Sequence, residues 1–127
     1  MKVVVVDDGG LMGVETALGV RDHGQEVGMV QAPRGLDSLT PKEFADALNG
    51  CAVVIDPAHP PSQATGTVPT RDGRVRDDTG HLLRTAIAAG VRQHVCLSAV
   101  GVGRVRAEGA FRAVYAREAM IERSGIS

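Results

Sequence analysis

The chain has 127 residues, 43% of them hydrophobic and 23% charged, and its 14 basic and 15 acidic side chains leave a formal charge of −1. One domain spanning residues 1–127 is expected, burying roughly two-thirds of the surface the unfolded chain exposes without needing disulfides or metal. A nucleic-acid partner is excluded: Arg71, Arg74, Arg76, Arg104, Arg106 and Arg112 are interleaved with acids or glycines rather than clustered, and Phe44, Phe111 and Tyr115 make no stacking platform.

Val3-Val4-Val5-Val6 is the pattern of a strand covered on both faces. Asp7 and Asp8 end it, too early for a signal-peptide core, and nothing later approaches the roughly 18 apolar residues of a membrane span, so a cytoplasmic protein is expected. After Gly9-Gly10, apolar residues at helical spacing (Leu11, Val14, Leu18) predict a helix to His23, closed by Gly24. Glu26 to Val30 reads as a second strand. Thr40-Pro41-Lys42-Glu43 carries a capping box with proline at the first helical position, opening a helix that Asn49-Gly50 stops after Leu48.

Cys51 to Ile55 is a third buried strand, ended by Asp56-Pro57. Residues 56 to 76 show no apolar period and read as an irregular connection, either a functional flap or a disordered segment. Leu82, Leu83, Ala86 and Ile87 mark another helix, closed by Gly90, and Gln93 to Leu97 a fourth strand. Phe111, Val114, Tyr115 and Ile121 define a last helix ending at Gly125. Cys51 and Cys96 lie in apolar runs far from any metal-ligand spacing and read as small core residues in a reducing compartment.

Strands alternating with helices imply an α/β fold, a Rossmann-like parallel sheet with helices on both faces. Right-handed crossovers then suggest the order 3-2-1-4, with the switch point between strands one and four. The expected site is the crevice at the strands' carboxyl ends: Asp7 to Gly13, the residues after Val30, Asp56 to His59, and Ser98 to Gly101.

Lys2 to Gly13, the run Gly90-Val91-Arg92-Gln93-His94-Val95-Cys96-Leu97-Ser98-Ala99-Val100-Gly101, and the helix from Phe111 through Glu118 to Ile126 together resemble the atypical short-chain dehydrogenase/reductases of the NmrA-like, NAD(P)-binding type. The resemblance implies a domain that binds NADP or NAD, in a reductase or isomerase acting on a small carbonyl compound, or in a redox sensor without chemistry. It implies Gly10, Leu11, Met12 and Gly13 as the diphosphate turn, and Pro57, Ala58 and Ser98 along the crevice. Arg34, just past the second strand where no acid stands, is a candidate for the extra phosphate of NADP.

The chain departs from that pattern at three places. Asp7 stands where the glycine loop has its first glycine, adding bulk and negative charge under a diphosphate. Ser98 and Tyr115 match two catalytic roles in kind, but the position four after Tyr115 is Ala119, and Lys2 and Lys42 are the only lysines. Tyr115 also falls in the apolar pattern of its helix, where its plainer role is a buried aromatic. Lastly, the family continues into a fifth strand, so a fragment or a homo-oligomer that covers the open edge of strand four is expected. Three further readings stay open: a non-catalytic dimerising scaffold or sensor with a degraded cofactor site; a receiver-like domain with Asp7, Asp8 and Asp56 as acid pair and phospho-acceptor; and a crevice in which Asp7, Asp56 and His59 act as acid and base.

Overall fold

The computed structural model describes residues 1–7, 9–32, 39–57, 69–98 and 111–127, of which 69–78 and 111–113 are described by their backbone alone. Eight elements follow in order: β1 Lys2–Asp7, α1 Leu11–Asp22, β2 Glu26–Gln31, α2 Pro41–Leu48, β3 Cys51–Asp56, α3 Pro69–Ala88, β4 Gln93–Cys96 and α4 Phe111–Ser124. All pairings are parallel, and the sheet order is β2-β1-β3-β4. The α/β Rossmann-like class is therefore as expected, while the strand order 2-1-3-4 replaces 3-2-1-4. Both orders satisfy right-handed crossovers and both place β1 between two strands, so neither handedness nor the burial of Val3, Val4, Val5 and Val6, all at most 5% exposed, chooses between them. In the observed order the third strand sits beside β1, so the connection β2-α2-β3 crosses opposite to α1 and supplies the cover of the second face.

That second face holds the core. Val4 and Val6 of β1, Val30 of β2 and Val54 of β3 cluster with Phe44 and Leu48 of α2 and Leu82 and Ala86 of α3. Phe44 and Leu48 reach the sheet because α2 starts where the sequence says it should. Thr40 Oγ1 accepts from the Glu43 amide at 3.2 Å, and Glu43 Oε2 accepts from the Thr40 amide at 2.8 Å. At the far end of α2, Lys2 Nζ donates to Asn49 O at 2.8 Å, placing a cation by the helix's terminal carbonyls.

Two elements depart from expectation. α3 begins at Pro69, inside the stretch expected to be irregular. The turns before His81 carry mostly charged and small residues (Arg71, Asp72, Gly73, Arg74, Arg76, Asp77, Asp78), so they have no apolar period to announce them, and Pro69 suits a first helical position. In α1 the buried residues are Gly13 and Ala17, while Leu11, Val14 and Leu18 are 75%, 44% and 38% exposed. Small residues four apart let the helix lie close on β1. The large apolar side chains thereby turn outward.

Urea unfolding tests this account of α2. Thr40→Ala is expected to cost about 1 kcal/mol and Phe44→Ala about 3 to 5 kcal/mol; equal small losses for both would contradict the placement of Phe44 in the core.

Candidate functional site at the carboxyl edge of the sheet

The chain reverses direction between β1 and β3, so the crevice that doubly wound sheets use lies there and not between the first and fourth strands. Asp7 ends β1 on one side of it, and Asp56 and buried Pro57 end β3 on the other. Ser98 follows β4, one strand further out.

The turn from β1 into α1 is built around the Asp7 side chain. Its carboxylate is buried, and Oδ1 accepts from the Gly9 amide at 2.9 Å. Gly9 has φ +90°, a conformation glycine adopts without strain, and Gly10 is the N-cap residue. Gly13 then passes over the carboxyl group so closely that a Cβ there would lie 2.6 Å from Oδ1 and 2.9 Å from Cγ. Gly13 is therefore required by contact with Asp7 as well as by close packing of helix on strand. The first turn of α1 carries no acid of its own, and Gly10, Leu11 and Met12 are exposed at the rim. In shape this turn suits a diphosphate. In charge it does not, because a carboxylate already sits beneath the helix N-terminus, where the partial positive charge would favour an incoming anion.

Asp56 is placed differently. Val5 pairs with Ile55, so Asp56 shares the face of Val4, Val6 and Val54, opposite to that of Asp7. It meets α4, where Arg117 Nη1 stands 3.8 Å from Asp56 Oδ2 and Nη2 donates to Leu97 O. Both residues are buried. Asp7 and Asp56 thus point to opposite faces of the sheet; the receiver-like reading also needs Asp8, and the acid–base reading His59. His59, Ala58, Arg34 and Asp8 lie outside the described residues, as do residues 99–110.

Ser98 and Tyr115 are not brought together by any hydrogen bond among the described residues. The Ser98 hydroxyl donates to Glu118 Oε1. Tyr115 is 47% exposed, which corrects its expected place in the core; buried Val114 and Arg117 mark the inner face of α4 instead. Next to Arg117, Cys96 is half-buried: burial raises its thiol pKa above the ordinary value, Arg117 acts to lower it, and Asp56 and Glu118 add to the rise. Sequence reading missed Arg117, Glu118 and His94. Arg117 was findable, being three residues after Val114 and hence on the same helical flank.

The contact at the turn predicts a coupled pair of substitutions. Gly13→Ala is expected to destabilise the protein by about 1 to 3 kcal/mol, as overpacking does. In an Asp7→Gly background the same change should be neutral or stabilising by up to about 1 kcal/mol, the helix preference for alanine. Additive effects in denaturation of the four proteins would contradict the contact.

No protein-family model matches the chain, and no curated protein sequence does either. Solved structures do. A short-chain dehydrogenase/reductase superfamily protein from Agrobacterium tumefaciens with bound NAD superposes with a TM-score of 0.71 at 16% identity, covering 97% of this chain and 44% of that one. MoeE5 in complex with UDP-glucose and NAD gives 0.65 at 18% identity, with 98% and 48% covered. The UDP-glucose 4-epimerase of Thermotoga maritima with UDP-glucose gives 0.68 at 14%, with 98% and 51% covered. The chain spans about half the length of these structures. Over that half, the chain shares the α/β fold of these structures.

Proposed function

We propose that the chain is a nicotinamide-dinucleotide-binding domain of the NmrA-like type, whose affinity is lowered by its own carboxylate at the diphosphate turn. The observation that carries this is the β1–α1 turn at the sheet's switch point, with exposed Gly10, Leu11 and Met12 at its rim and Gly13 packed on the strand. NAD in two of the similar structures supports the ligand class. Pro57, Ala58 and Ser98 would line the remainder of the crevice, and Arg34 would favour NADP over NAD. The turn's main-chain amides would hold the diphosphate, and the bound dinucleotide would supply hydride chemistry to a small carbonyl substrate. Ser98, its hydroxyl donating to Glu118, would orient that substrate, with Tyr115 as the candidate proton donor. We place the protein in the cytoplasm, as a homo-oligomer that covers the β4 edge.

A second reading has its own support. A carboxylate about 4 Å from a phosphate oxygen repels it by roughly 4 kcal/mol at an effective dielectric near 20. The serine and tyrosine are also not joined, and no lysine follows Tyr115 at the spacing that lowers a phenol's pKa. On this reading the domain is a scaffold or sensor and performs no hydride transfer.

Titration of NADH and NADPH, followed by their fluorescence, tests both. The first reading expects weak saturable binding to the wild type, tightened at least roughly tenfold in Asp7→Gly and also in Asp7→Asn, which keeps the shape and removes the charge. Absence of saturable binding in all three proteins overturns it and leaves the scaffold.

A further inference from the structure

A buried polar strip that the proposed function does not use runs beneath α4. Register places Val54 opposite His94 and Asp56 opposite Cys96, so His94 and Cys96 point to the face that α4 and its following residues cover. His94 is 7% exposed, and neither ring nitrogen has a hydrogen-bond partner. Its main-chain amide donates to Ser127 O at 2.9 Å, so the residues after α4 lie directly against its strand.

The charge that bears on the ring is the Arg117 guanidinium from α4. Asp56 of β3 and Glu118 of α4 act at the next step of the strip, on the Cys96 thiol. α4 otherwise packs on α3, closely at Gly80, where a Cβ would come within 3.4 Å of Met120 Cε. Its polar ties to the sheet include Arg117 to Leu97 O and Asp56, and Glu118 to Ser98, beside the buried Val114. Among the described strands β4 is at the edge of the sheet.

We infer that His94 is an acid-sensitive catch for α4: the neutral ring packs beneath the helix, and its protonation places a second cation beside Arg117 without a carboxylate bonded to it, releasing α4 and freeing Ser98 from Glu118. Isolated burial of a charge without a bonded partner is among the costlier arrangements a fold can hold. The sign follows from the same burial. His94 is held down from 6.5 to about 4 by burial first and by Arg117 second. Above pH 6.5 the ring is neutral whether α4 is docked or not, and stability is unaffected. As pH falls from 6.5 towards 4 the released state takes up the proton first, and docking weakens. A separation from 6.5 to about 4 corresponds to a roughly 300-fold change in the docking equilibrium. The inference stands independently of whether a dinucleotide binds.

Hydrogen–deuterium exchange of the whole chain between pH 7 and pH 5, normalised for intrinsic exchange and kept above the range in which Asp56 and Glu118 would ordinarily protonate, tests it. In the wild type, protection of Val114–Ser124 should fall by roughly 20-fold while β1 and α2 hold theirs; in His94→Leu the α4 profile should be flat over the same range. Equal acid loss of α4 protection in both proteins, or full α4 protection in the wild type at pH 5, overturns the inference. NMR titration of the His94 ring in the wild type, read against α4 protection in the same samples, decides the matter if the variant does not fold: loss of α4 protection that follows ring protonation supports the catch, and ring protonation with α4 still protected overturns it.

Discussion

The Asp7 carboxylate, accepting from the Gly9 amide and lying against Gly13, sets the geometry of the β1–α1 turn. It closes the turn from within, because an internal anion there takes the Gly9 amide that an outside phosphate would otherwise meet and adds its charge below the helix start. It also explains why α1 approaches β1 along Gly13 and Ala17, leaving Leu11, Val14 and Leu18 at the surface. The arrangement that steadies the start of α1 therefore opposes the ligand class its shape suits. Stability and binding compete for the Gly9 amide.

The sheet order divides chemistry between two faces. Asp7 looks towards α1, and Asp56, His94 and Cys96 look towards α4. The core cluster of α2 and α3 lies on the second face, so the polar strip under α4 is continuous with the best-packed part of the molecule. The face of α1 is more open: that helix lies over β1 and β2, while Ile55 is half-buried and Val95 is 43% exposed. No helix among the described residues is long and apolar enough to cross a membrane.

Much of the fold was legible because local chemistry agreed with the tertiary result. Four consecutive valines announced a strand buried on both sides, and the Thr40–Glu43 box announced α2 to the residue. The strand order was not legible: it depends on which face α2 takes, and α2's own pattern is the same on either. The start of α3 was hidden because its first turns carry no apolar stripe. At the site, Asp7 was identifiable as a misfit among glycines, but its bond to Gly9 depends on a side-chain rotamer that sequence does not reveal. Arg117 and His94 went unread for a different reason. Each is polar where burial is decided by an apolar partner element, and their meeting joins residues of α4 and β4 that only the sheet's edge brings together.

The central claim is that Asp7 closes its own turn. A through-hydrogen-bond scalar coupling between the Gly9 amide nitrogen and the Asp7 carboxyl carbon, measured by NMR on the ligand-free protein, tests it most directly. The account predicts a measurable coupling together with slow exchange of the Gly9 amide. Absence of the coupling, with the Gly9 amide exchanging at the rate of an open loop, would contradict it.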